Sequence, residues 1–111
     1  MERAKLPQIV QTALKELKDA LQDLYGERLR GLYLYGSYAR GTAHWDSDID
    51  VLIVLAGTFK PGAEITRMSP VVSTICLHHD LLISLYPISA KGFETLHSPF
   101  LETVRDDAVP L

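Results

Sequence analysis

Apolar residues at Ile9, Val10, Ala13, Leu14, Leu17, Leu21 and Leu24 recur at helical spacing, with Lys, Glu, Gln and Asp between them. That stripe predicts an amphipathic helix over Pro7 to Leu24. Pro7 suits a first helical turn, and Gly26 stands where the helix must stop. The leucine- and tyrosine-rich run Leu29 to Tyr35 then predicts a strand that runs into Gly36-Ser37. Ser37 can cap a short helix that Gly41 ends, and Thr42 to Ser47 reads as a loop.

Asp48 to Leu55 is the second predicted strand, and its unbroken apolar run from Val51 to Leu55 suits a central strand covered on both faces. The stretch Ala56 to Gly62 has the composition of a loop. A helical region over Ala63 to His79 follows, with an expected interruption or restart at Ser69-Pro70. Leu81 to Ile88 predicts a third strand. Ser89 then caps a short helix through Leu96, and Ser98-Pro99 opens another through about Asp106. The order αβαβαβαα predicts a single α/β domain over residues 1–111, built around a small sheet.

Composition narrows the function classes. With 47% hydrophobic and 23% charged residues the chain can build a core, which excludes a disordered polymer. A net charge of -3 argues against a broad nucleic-acid-binding face. The one cysteine, Cys76, sits in an apolar stretch and reads as a small core residue, since it has no disulfide partner. Met1 to Lys5 leads into the amphipathic segment and does not read as a secretory leader, and no apolar run approaches a membrane span. These features predict a soluble, cytoplasmic protein with no membrane association.

The candidate chemistry lies in Gly36-Ser37, ten intervening residues, and Asp48-Ile49-Asp50. Aspartates at i and i+2 on a strand leave the same face, with Cα atoms roughly 6.5 to 7 Å apart. Carboxylates so placed can reach around two hard cations about 3.5 to 4 Å apart, the arrangement of two-metal phosphoryl transfer. Magnesium is the expected ion because it takes oxygen ligands and shares them with phosphates. Glycine before a helix lets the backbone approach a ligand, and the first helical N–H groups with the Ser37 hydroxyl can bind phosphate oxygens. Arg40, one turn later, can pair with a phosphate or stand solvated. Trp45 can stack on a nucleobase or cover a core edge, and Tyr33 and Tyr35 read as packing residues. His44, His78, His79 and His97 share no metal-ligand spacing and read as solvated or edge side chains.

The string Gly36-Ser37-Tyr38-Ala39-Arg40-Gly41 through Ser47-Asp48-Ile49-Asp50 resembles the signature of the DNA polymerase β-like nucleotidyltransferase superfamily. Within it, the chain is similar to the minimal nucleotidyltransferase (MNT) branch. The resemblance implies a small mixed sheet flanked by helices, with ATP and two Mg2+ ions bound together. It implies transfer of a nucleoside monophosphate to a hydroxyl, with loss of pyrophosphate. Gly36 and Ser37 would then contact the β and γ phosphates, with Arg40 near them, and Asp48 and Asp50 would hold the metals. A third carboxylate is expected from a later strand. Asp80, at the entry to the third predicted strand, is the candidate; Glu94 and Glu102 fall on predicted helices. Many MNT proteins are antitoxins of HEPN toxins, so the resemblance implies a separate HEPN-domain partner and a homo- or hetero-oligomer. A scaffold that neutralises a partner by binding, and a small-molecule nucleotidyltransferase of the aminoglycoside-modifying type, are the alternatives.

Overall fold

The computed structural model describes residues 6–111, so the leading segment Met1 to Lys5 lies outside the described residues. Helix α1 spans Gln8–Tyr25, with Pro7 as its cap and not within it. Its buried face is Val10, Ala13, Leu14, Leu17, Leu21 and Tyr25. Ile9 and Leu24, predicted to share that face, stay at its rim at 45% and 39% exposure. Tyr25 takes the inner position instead, four residues after Leu21. Gly26, at φ 55°, ends the helix as expected, and one 3-10 turn leads into strand β1, Leu29–Tyr35.

The remaining elements are α2 (Ser37–Arg40), β2 (Ile49–Leu55), α3 (Pro61–His79), β3 (Ile83–Ser89), α4 (Ala90–Thr95), α5 (Pro99–Asp107) and β4 (Val109–Pro110). The sheet order is β3-β2-β1-β4. Strands β1 and β2 pair antiparallel, β1 and β4 antiparallel, and β2 and β3 parallel, which makes the sheet mixed. β4 has no counterpart in the predicted elements because two residues are too few to show an alternation.

β2 is the central strand, and both of its faces are covered. Ile49, Val51, Ile53 and Leu55 pack with the inner faces of α1 and α3. Leu52 and Val54 point the other way, against Ile88, Leu101 and Val104, with Tyr33, Tyr35 and Phe93 alongside. The two apolar layers sit on opposite faces because side chains alternate along the strand. Asp50 continues the Leu52 and Val54 face toward the start of the strand, and Asp48 immediately precedes it.

α3 does not break at Pro70. Pro70 and the carbonyl-bearing Thr66 one turn before it are both exposed, so the carbonyl left without its N–H faces water. Burial of Glu64, Met68, Val72 and Ile75 holds the helix through that point. Glu64 is 5% exposed, accepts a hydrogen bond from the Tyr25 hydroxyl at 2.8 Å, and lies 3.6 Å from Arg67. Burial, reinforced by Glu64, pushes the Tyr25 hydroxyl up to about 12. Tyr25→Phe leaves this buried carboxylate short of a donor. The expected cost is about 1–3 kcal/mol in urea unfolding, with an unchanged m-value. No helix among the described residues is long and apolar enough to cross a membrane.

Candidate active site

The antiparallel pairing of β1 with β2 puts the end of one strand beside the start of the other, with Tyr35 opposite Asp50. The residue after Tyr35 is Gly36, at φ 78° and ψ -156°, a conformation that favours glycine. Space imposes the same requirement. A Cβ on Gly36 would collide with the Asp50 carboxylate, whose Cγ and Cβ would lie 3.2 and 3.3 Å away. Gly36 thus lets the turn press against Asp50. It also occupies the cap position predicted for Ser37, which is instead the first residue of α2. The Ser37 hydroxyl, not used as a cap, is left available at the turn. Gly41, left-handed at φ 77°, ends α2 as expected.

The loop to β2 is pinned from within. The buried Tyr38 side chain donates its hydroxyl to the His44 carbonyl at 3.4 Å. His44 N–H donates to the Ser47 hydroxyl at 2.8 Å, and Ser47 N–H donates back to the His44 carbonyl at 3.0 Å. Trp45 rides at the tip of this turn, 92% exposed, and covers no core edge. It lines an open groove with Asp46, Ser47, Leu77, Asp80 and Leu82.

Asp48 is exposed and precedes the first residue of β2, while Asp50 lies within the strand and is half-buried. Between them, Ile49 N–H donates to the Leu82 carbonyl at 2.8 Å and anchors the start of the strand to the connection before β3. Burial, and then the neighbouring Asp48 charge, push the Asp50 carboxyl above its ordinary 3.8, while Arg40 pulls the other way. Tyr35, its strand partner, is pushed up to about 12 by burial, by Asp50 and by Tyr86, so its hydroxyl keeps its proton beside the carboxylate. Phe100 packs on Tyr35 edge-to-face at 5.7 Å and lies 4.8 Å from Tyr86. Tyr35, expected only to pack, is therefore also part of the wall behind Asp50.

Arg40 reaches across to α5 and pairs with Asp107 at 2.9 Å. A phosphate would compete with that carboxylate for the guanidinium. Asp80 is not at the entry to a strand. It ends α3 in the left-handed conformation, φ 54° and ψ 50°, the one non-glycine with positive φ among the described residues. Leu81 N–H then bonds back to the Cys76 carbonyl at 3.0 Å, so Leu81 belongs to the helix-ending turn and β3 starts only at Ile83. The β3 residue that pairs with Asp50 is Ser84, which is exposed. Among the described residues, Asp48, Asp50 and Asp80 do not converge as a three-ligand cluster; the one such group is Glu16, His78 and His79. Glu102, on α5, is engaged by His97 at 2.9 Å and Arg105 at 2.8 Å, and the His97 hydrogen bond holds its carboxyl below the usual range. The structure thus gathers Gly36, Ser37, Asp48 and Asp50 at one end of the sheet. It leaves Asp80 at a helix end, and it puts forward Ser84, which no sequence motif marks.

The profile of the nucleotidyltransferase domain family matches residues 14–96. A candidate protein adenylyltransferase of Methanocaldococcus jannaschii is 34% identical over 98 residues, which is 86% of this chain and 92% of that protein. Among solved structures, a toxin–antitoxin complex with AMP-PNP is similar at a TM-score of 0.63 and 22% identity, covering 86% of this chain and 69% of the other. A complex of a tri-AMPylated HEPN toxin of Shewanella oneidensis with an MNT antitoxin is similar at a TM-score of 0.58 and 18% identity, covering 90% and 69%. The two structural likenesses establish the fold; the profile and the relative establish more. By both, this chain belongs to the nucleotidyltransferase family.

Proposed function

We propose that this protein transfers AMP from ATP to a protein hydroxyl, a tyrosine of a HEPN-type toxin, and so acts as its antitoxin. The observation that carries the reading is Asp50: a half-buried carboxylate raised by burial and by Asp48, set against the Gly36-Ser37 turn. Two carboxylates that repel each other and lack a full complement of positive charge suit hard divalent cations. Asp48 and Asp50 would hold Mg2+, which would supply charge neutralisation at the phosphates. Gly36 and Ser37 would bind the β and γ phosphates, and Arg40 would leave Asp107 to join them. In the transfer, the acceptor oxygen bonds to the α-phosphorus as the bond to the pyrophosphate oxygen breaks. The acceptor proton passes to solvent or base, and pyrophosphate leaves. The chain's own part is positioning and charge stabilisation.

The names of similar proteins support the nucleotide and the partner. One relative is named for protein adenylyltransfer, one similar complex holds AMP-PNP, and another joins an MNT antitoxin to an AMPylated HEPN toxin. A second reading, neutralisation by binding alone, is favoured by Ser84, because the β3 position opposite Asp50 offers a hydroxyl where an acceptor-side carboxylate would help. Incubation with Mg2+, α-labelled ATP and a HEPN partner separates the two. Label on the partner that vanishes in Asp48→Asn supports transfer; tight complex formation without label supports the scaffold.

Ser84→Asp adds the missing charge beside Asp50 at an exposed position. It is expected to raise transfer by about 10²-fold, the scale of one general-base contribution, whereas Ser84→Asn leaves it unchanged. Equal rates for Ser84→Asp and the parent would show that β3 does not face the acceptor.

A further inference from the structure

α3 ends on two consecutive histidines whose rings lie 4.7 Å apart and 31° from parallel. Adjacent histidines on a helix seldom converge, but here α1 brings a third donor from 63 residues away: His79 Nε2 and Glu16 Oε2 are 2.7 Å apart. One ligand atom from each of Glu16, His78 and His79 lies within 4.8 Å of the other two. We propose that these three side chains form a binding site for a zinc-class divalent cation, separate from the Asp48 and Asp50 pair.

The donor set determines the class of ion. Two imidazoles and one carboxylate match the His2Glu ligation of zinc, with a fourth position open to water, and imidazole nitrogen disfavours magnesium. Tetrahedral ligands at about 2.0–2.1 Å from the metal sit roughly 3.4 Å from one another. The Glu16–His79 pair, at 2.7 Å, therefore has to open as the metal replaces its shared proton, and His78 has to swing in; two features allow it. The His79 side chain is 13% exposed and already held against Glu16, so two ligands are preorganised between α1 and α3. His78 is exposed, and its ring is free to swing in. The ion takes the place of the proton shared by His79 Nε2 and Glu16 Oε2, and that proton goes to solvent.

Such an ion would tie the middle of α1 to the end of α3, immediately before Asp80. Asp80 lines the groove that also holds Trp45, Asp46 and Ser47, the residues leading to Asp48. Occupancy is therefore expected to stiffen the segment that delivers the first site carboxylate without supplying a ligand to it.

The test uses the untagged full chain, freed of metal by chelation and titrated with Zn2+ against a chromogenic chelator. Cobalt(II) serves as a spectroscopic stand-in. The expected result is saturable binding of one zinc ion, with a visible absorption band of tetrahedral type for cobalt. Affinity is expected to fall about tenfold or more in both His78→Asn and Glu16→Gln, and to be unchanged in His44→Asn, an exposed histidine outside the triad. Circular dichroism checks that each variant is folded. If Glu16→Gln unfolds, His78→Asn decides, because its exposed side chain leaves the Glu16–His79 hydrogen bond in place. Zinc affinity unchanged in His78→Asn, affinity lost in His44→Asn, or no saturable binding by the parent chain would each overturn the proposal.

Discussion

Asp50→Asn is expected to abolish nucleotidyl transfer, by about 10³-fold or more, and at the same time to raise the melting temperature. The first effect follows from removing a charge that would hold metal at the developing phosphoryl charge, where electrostatic stabilisation is strongest. The second follows from burial and from Asp48, which together raise the Asp50 pKa in the folded state. A carboxyl raised on folding binds its proton more tightly in the folded chain than in the unfolded one. Its ionised form therefore costs stability above the folded pKa. That cost disappears as pH falls through the folded pKa toward the ordinary value of 3.8. Parent and variant melting curves are thus expected to differ most near neutrality and to converge in acid. Activity measured by label transfer and stability measured by calorimetry move in opposite directions at this one position. If Asp50→Asn melts lower than the parent at neutral pH, Asp50 is a structural residue and the metal role fails.

Gly36→Ala is expected to damage both properties together. The alanine must adopt φ 78° and must push the Asp50 carboxylate aside. The expected cost is about 2–4 kcal/mol of stability, from left-handed strain plus overpacking. Transfer is expected to fall about 10²-fold, because a displacement of about an ångström at the reacting centre has that effect. Gly57→Ala is the control. Its φ of +88° carries the same kind of backbone strain, but nothing lies within 4 Å of an added Cβ. It is expected to cost about 1–2 kcal/mol and to leave transfer unchanged. Equal losses of activity in the two variants would mean that the Gly36 contact with Asp50 has no functional weight.

That Gly36, Ser37, Asp48 and Asp50 come together was legible in the sequence because the grouping is local. A strand, a tight turn, a pinned loop and the returning strand lie within one contiguous stretch, and each leaves its own composition signal. The β3 residue beside Asp50 was not legible. Leu81 and Leu82 are as apolar as the strand they precede, so nothing in their chemistry told the end of α3 from the start of β3. Only the pairing of Asp50 with Ser84 shows which residue stands opposite the carboxylate. That register belongs to a pairing made across the α3 crossover, far apart in the chain. Pro70 misled for a related reason: its local preference favours a break, and burial of Met68 and Val72 on the inner face overrides it. The contact of Glu16 with His79 was not legible because it spans 63 residues and two helices.

The mixed pairing of the sheet also bears on how such a protein can change over time. Antiparallel neighbours such as β1 and β2 need only a short connection, whereas parallel neighbours such as β2 and β3 need a crossover, here α3. Under the proposed function, nucleotide handling and acceptor handling would therefore fall on separate stretches of the chain, the β1–β2 segment and β3. Substitutions on β3 would then switch chemistry off, or restore it, while the Gly36-Ser37 turn persists intact. A lineage built in the proposed way would drift between modifying a partner and merely gripping it, one exposed side chain at a time.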